Sequence, residues 1–224
     1  MTTIMLLVIS GLAFYLMDRT RPKLHSEALR AKDIFSIENV EWNLILVNQG
    51  NPLPEAFSIQ FTELSNGQRV DSRIYPELQA MFDAARASGI YPFVRDGYRT
   101  HEEQIELFED KVMSFMQDGY NRKKAEKLAK DWVAIPGTSE HELGLAVDIN
   151  AERVLSENAD VYLWLQEHAW EYGFILRYPK GKEDVTGIDY EPWHYRYVGK
   201  DAAKEIIENE ITLEEYHKER RRKP

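Results

Sequence analysis

Ser139-Glu140-His141-Glu142-Leu143-Gly144-Leu145-Ala146-Val147-Asp148 is the stretch on which the fold turns. It leaves a Pro136-Gly137 loop, passes Gly144 and enters an apolar series, Leu145 to Ile149, that reads as a buried strand. His141 and Asp148 are seven residues apart. In one unbroken strand an odd spacing puts two side chains on opposite faces, so a bend is needed for them to meet. Gly144 supplies it, leaving the histidine on the loop and the aspartate on the strand. Glu191-Pro192-Trp193-His194 follows where a loop enters another strand, and it adds a second histidine with a carboxylate beside it. Two imidazoles and one carboxylate with a position left open are what a catalytic zinc ion requires. The helical signature H-E-x-x-H is absent, because position 145 is leucine.

Outward from this stretch, helices and strands interleave irregularly. Pro76 to Ala87 has helical spacing and closes at Gly89, and Ile90 to Val94 reads as a strand. Arg95 to Thr100 then forms a turn. Thr100 and Glu103 make a capping-box pattern for a helix that buries Ile105, Phe108, Val112, Phe115 and Met116. Asn121 caps a helix running through Leu128 to Trp132, and Asn158 caps one through Leu163, Leu165 and Trp170, ended by Gly173. Phe57 to Phe61, Phe174 to Tyr178 and Trp193 to Val198 read as strands, with Trp42 to Asn48 a short strand or apolar anchor. Lys180 to Asp189 is a charged loop, and two short charged helices finish the chain. No glycine loop suited to cradling phosphate is present. The expected fold is α+β, a mainly antiparallel sheet flanked by helices.

A length of 224 residues with 43% hydrophobic and 29% charged content suits one globular domain, assigned here to 38–224. The formal net charge of -10 argues against nucleic acid as a partner. No cysteine is present, so any metal must be held by His, Asp and Glu; the absence also suits a bacterial cell-surface protein. Ile4 to Met17 is a nearly unbroken apolar run of 14 residues. It reads as a signal anchor or signal peptide over 1–17, followed by a polar linker over 18–37. Arg19, Arg21 and Lys23 follow the run, which by the positive-inside tendency would favour a cytoplasmic domain. The expected location is nonetheless the membrane, through a single-pass anchor with the catalytic domain outside the cytoplasm, or outside the cell if the segment is cleaved. Glu140 and Glu142 are expected to be solvated, and Trp193 and Tyr195 to pack in the core.

Four runs carry a resemblance: Gly97-Tyr98-Arg99-Thr100 with Gln104, Pro136 to Ile149, Tyr172 to Glu183, and Tyr190 to Gly199. In this order they resemble the VanY-type D-alanyl-D-alanine carboxypeptidases, which share a fold with zinc D,D-peptidases and the Hedgehog signalling domain. The resemblance spans roughly residues 40–216, and the pairing of S-x-H-x-x-G-x-A-x-D with E-P-W-H is its most specific part. It implies one Zn²⁺ held by His141, Asp148 and His194, with Glu191 as catalytic base. It implies further that Arg99 binds substrate or steadies the developing oxyanion, and that Gln104 and Ser139 contact the peptide's C-terminal end. The implied partner is a peptidoglycan stem peptide and the implied reaction is removal of its terminal D-Ala. An L,D-carboxypeptidase acting on tetrapeptide stems is the nearest alternative. A zinc-containing binding module without turnover would require loss of the base or the arginine, and both residues are present.

Overall fold

The computed structural model describes residues 41–55 and 57–222. The described residues from Asn43 onward form one compact unit. The expectations for 1–17 and 18–37 fall outside the described residues. The expected location, membrane-anchored or exported, is corrected: among the described residues no helix is long and apolar enough to cross a membrane, so no anchor is shown.

A two-stranded hairpin, β1 (Phe61–Glu63) and β2 (Arg69–Asp71), leads into helix α1 (Tyr75–Ala87). Strand β3 (Pro92–Asp96), helix α2 (His101–Gln117) and helix α3 (Arg122–Ala129) follow. A 3₁₀ turn over Glu140–Leu143 precedes strand β4 (Ala146–Ala151). Helix α4 (Asn158–His168), strand β5 (Phe174–Leu176), the short helix α5 (Glu183–Thr186) and strand β6 (His194–Tyr197) come next. Helices α6 (Lys200–Glu208) and α7 (Leu213–Arg220) complete the chain. The main sheet has the order β3-β4-β6-β5, and all three pairings are antiparallel. The expected α+β class stands.

The two-residue period of β4 divides the sheet's duties. Val147, Ile149 and Ala151 are buried in the core, while Asp148 and Asn150 are only partly covered. Beneath the sheet, Leu44, Ile175, Val198, Ala203, Ile206 and Leu213 pack into a cluster that ties α6 and α7 to β5. Phe108, Val112, Ala125 and Ala129 join α2 to α3. Burying each large aliphatic side chain of this kind contributes roughly 1.5–3 kcal/mol.

Several local expectations change. Residues 57–60 are not a strand; pairing starts at Phe61, where the hairpin partner Asp71 first becomes available. Trp42–Leu44 is a 3₁₀ turn. Ile105 and Leu163 lie on the solvent faces of α2 and α4. Glu157, not Asn158, is the N-cap of α4, because the Asn158 side chain accepts instead from the Ala151 amide at 2.8 Å. The capping box on α2 forms as expected, Thr100 accepting from the Glu103 amide and Glu103 from the Thr100 amide.

Candidate metal centre and its cleft

Three local devices bring the site together. The first is the 3₁₀ turn. Ser139 and Glu142 form a capping box around it, and Gly144 ends it in the left-handed region at φ 67°. The turn sets His141 under the sheet edge with its ring 2% exposed overall. Glu142 also accepts from the Gly137 amide at 2.9 Å and from His101 Nδ1 at 2.8 Å, which staples the whole 137–142 loop. The second device is the β4–β6 ladder, which pairs Asp148 with His194 directly. The third is the β3 register shift between Val94 and Asp96, with both Asp96 and Val94 paired and Arg95 left over between them. The bulge precedes the turn that carries Gly97, Tyr98 and Arg99.

His141 Nε2 lies 3.3 Å from Asp148 Oδ1, and His194 Nδ1 lies 3.1 Å from the same oxygen. One ligand atom from each of the three residues falls within 4.8 Å of the others. The two imidazole planes are nearly perpendicular, 88° apart, with centroids 4.9 Å apart. Glu191 Oε2 stands 3.5 Å from His194 Nδ1 and so faces the same point. His141 Nε2 and Asp148 Oδ1 are buried and have no hydrogen-bond partner. Buried polar atoms without partners are rare in folded proteins, so a converging set of them asks for a ligand. The donor set, two imidazoles and a carboxylate, fits a zinc ion with one position open.

The electrostatics point the same way. Burial tends to raise the Asp148 carboxyl, but His141 and His194 more than reverse this and hold it well below the usual carboxylate range. Burial lowers His194, yet Asp148 and Glu140 override it and push the imidazole up to about 9. The trio is therefore built to hold positive charge. Glu191 behaves differently: burial raises it to about 7, with Asp148 adding to the rise while His194 and Arg99 oppose it. A carboxylate poised near neutrality suits proton transfer.

These groups open into a cleft of about 250 Å³ that also exposes Arg95, Arg99, Trp132, Ser139, Tyr178 and Trp193. Three larger hollows, about 450, 410 and 320 Å³, lie elsewhere, and none of them brings together a metal-binding group among the described residues. Arg99 is aimed by its neighbours: its Nε donates to Asp96 Oδ2 at 2.9 Å and its Nη1 to Gln104 Oε1. The Arg99 amide donates to the His141 carbonyl at 3.2 Å, so the arginine turn and the histidine loop are joined through the backbone. Gln104 is fully buried, with its amide nitrogen donating to the Ala134 carbonyl at 2.7 Å. It stands behind Arg99 rather than on the cleft wall. Ser139 lines the cleft and accepts from the His141 amide at 3.3 Å. Trp193 lines it as well, whereas Tyr195 is packed away at 1% exposure.

Residues 67–200 match the family described as VanY, D-alanyl-D-alanine carboxypeptidase. The chain belongs to the VanY family.

Within that family it is 53% identical over 176 residues to a D-alanyl-D-alanine carboxypeptidase of Enterococcus faecalis, covering 79% of this chain and 66% of the relative. The chain thus spans about two thirds of that relative's length. Among solved structures, VanYB in complex with D-alanine-D-alanine superposes with a TM-score of 0.78 at 52% identity, covering 80% of this chain and 98% of that one. A vancomycin-resistance D,D-pentapeptidase VanY variant in complex with Zn(II) gives 0.77 at 53% identity, covering 79% and 99%.

The surroundings of the three converging side chains contain residues that the sequence did not reveal. His141 Nδ1 lies 2.6 Å from the Gly97 carbonyl, which fixes the tautomer that leaves Nε2 free to bind a metal. Glu140 is not solvated but 1% exposed, and Glu142 is buried too. Glu140 is met at 2.9 Å by both Arg177 Nε and Arg196 Nη1. A signal for this was available: Arg177, just after β5, and Arg196, within β6, stand among apolar and aromatic residues, where a buried cation demands an anion.

Proposed function

We propose that this chain is a zinc-dependent D-alanyl-D-alanine carboxypeptidase that removes the C-terminal D-Ala from peptidoglycan stem peptides. The observation that carries the proposal is the convergence of His141, Asp148 and His194 on one point that Glu191 also faces. Family membership and the likeness to a zinc complex and a D-Ala-D-Ala complex support it.

His141 through Nε2, His194 through Nδ1 and Asp148 through a carboxylate oxygen would hold the zinc ion. When bound, zinc supplies a Lewis acid that eases deprotonation of water near neutral pH and polarises a carbonyl. Glu191 takes the proton from the attacking water and returns it to the departing amine of D-Ala. Its partial burial suits both halves of this task, since neither protonation state is strongly preferred. Arg99, held by Asp96 and Gln104, presents its remaining guanidinium edge to the substrate's terminal carboxylate or to the oxygen that gains charge during attack. Ser139 stands at the cleft wall where the C-terminal residue would lie, and Gln104 serves through Arg99.

The test is release of D-Ala from stem-peptide mimics ending in D-Ala-D-Ala and from tetrapeptide mimics, assayed side by side with zinc present. Pentapeptide cleavage that disappears in Glu191→Ala supports the assignment. Preferential cleavage of the tetrapeptide would give the L,D-specificity instead, and equal activity of wild type and Glu191→Ala would remove the mechanism.

A further inference from the structure

Beneath the candidate zinc ligands lies a chain of buried charges that reaches the C-terminal helix. Arg177 is 1% exposed and Arg196 fully buried. Arg177 donates from Nε to Glu140 Oε1 at 2.9 Å, and from Nη1 and Nη2 to Glu214 on α7 at 3.0 and 2.6 Å. Glu214 accepts in addition from Asn48 Nδ2 at 3.0 Å. Arg196 lies on Glu140 and also donates from Nη2 to the Asn43 and Ile45 carbonyls at 3.1 and 2.9 Å. Two arginines and two glutamates balance, which is what lets the group remain buried.

Beside this group, two atoms without hydrogen bonds face each other. Glu140 Oε2 and His194 Nε2 are both buried, neither has a hydrogen-bond partner, and they face each other 3.8 Å apart. His194 Nδ1 is turned toward Asp148 and Glu191. If Nδ1 is the metal-binding atom, Nε2 must carry the ring proton, and Glu140 Oε2, 3.8 Å away, is the carboxylate oxygen that faces it.

We infer that Glu140 is a positioning residue for His194, and that Glu214 on the C-terminal helix holds Glu140 in place through Arg177. This rests on the reading of His194 as a zinc ligand. Glu140 keeps the imidazole in the tautomer that offers Nδ1 and fixes its rotation. Both arginines engage one oxygen of Glu140, so the other stays free for the histidine. Glu214 lies beyond residues 67–200, so this support comes from outside the stretch that matches the family.

The experiment compares the full chain with Glu140→Gln, Glu214→Gln and Glu140→Asp. Zinc affinity is measured by chelator competition, and the His194 Nε2–H signal is followed in the zinc-loaded protein by ¹⁵N-resolved NMR. Expected is a loss of zinc affinity of about 10- to 100-fold in Glu140→Gln, with the ring N–H signal moved and its solvent exchange hastened. Glu140→Asp keeps the charge but not the reach, and recovers only part of the affinity. Glu214→Gln, at a partly solvated position, should fold and lose affinity by a smaller factor, on the order of several-fold. If Glu140→Gln does not fold, Glu214→Gln decides. Unchanged affinity and an unchanged ring N–H in Glu214→Gln would overturn the link to the C-terminal helix, and the same result in a folded Glu140→Gln would overturn the whole inference. A wild type that binds no zinc would instead remove the metal assignment, and the inference with it.

Discussion

Asp148 and His194 are direct partners across the β4–β6 ladder, and their Oδ1 and Nδ1 atoms lie 3.1 Å apart. Two proposed ligands separated by 46 residues are thereby held by backbone pairing rather than by a loop. A site on rigid strands keeps its geometry before any metal arrives, so little ordering entropy is lost on binding. The third proposed ligand, His141, comes from a turn that its own cap and the Gly97 carbonyl hold in place.

Metal binding should therefore stabilise the fold without creating it. The chelated protein is expected to keep its secondary structure, and zinc at about 100 times its dissociation constant should add about 2.7 kcal/mol. For a chain of this size that corresponds to a rise in melting temperature of roughly 5–10 °C. Circular dichroism melts with and without zinc measure it; a chelated protein without secondary structure would contradict the preformed site.

Glu191→Gln removes the proposed base while keeping volume and position. The turnover number is expected to fall by about 10²–10⁴-fold. Zinc content should remain at one per chain, since Glu191 is not among the proposed ligands. Parallel loss of zinc and turnover would reassign Glu191 from base to ligand.

Gly97→Ala tests the support of His141. A Cβ at Gly97 would fall 2.3 Å from the Arg69 carbonyl oxygen, a backbone atom that cannot swing aside. The Gly97 carbonyl, which meets His141 Nδ1, must then move. A destabilisation of about 1–3 kcal/mol is expected, with weaker zinc binding. Denaturant unfolding and chelator competition on the same variant read the two effects.

Arg99→Lys should not be a conservative change. A lysine carries one point charge and cannot contact Asp96 and Gln104 while offering an edge to substrate. Loss of one charged hydrogen bond at about 1.5–3 kcal/mol predicts a fall in kcat/KM of roughly 10- to 100-fold. Steady-state kinetics on a D-Ala-D-Ala substrate provide the number, and activity equal to wild type would place Arg99 outside the substrate's reach.

His217 on α7 gives a pH dependence of stability away from the metal site. Burial lowers its affinity for a proton, and Arg221, Arg196 and Arg220 lower it further, while the Leu44 carbonyl opposes them. With the folded value below the unfolded one, the unfolded chain binds the proton more readily. The neutral ring's contribution is present above the unfolded value near 6.5 and is lost as pH falls through the folded one. Melting temperatures of wild type and His217→Gln at pH 7.5 and 5 should show the difference shifting against wild type at the lower pH. An unchanged difference would show that His217 takes up its proton equally in both states.

Much of this was legible in the chain itself. The loop-then-strand pattern around Gly144, the two histidines and the carboxylates at 148 and 191 are local facts, and local sequence set them: Gly144 adopts the left-handed turn, and the Thr100–Glu103 box forms as its spacing implies. Tertiary structure decided everything that depends on partners distant in sequence. Glu140 looks like a surface glutamate beside His141, and only the return of Arg177, Arg196 and Glu214 makes it a buried anion. Gln104 resembles a cleft residue until Arg99 and Ala134 occupy both its ends. Residue types and their spacing fixed which groups could bind a metal, because ligand chemistry belongs to each side chain. Which nitrogen of His141 faces the site was settled by the fold alone, because the acceptor that meets the opposite nitrogen, the Gly97 carbonyl, arrives from another part of the chain.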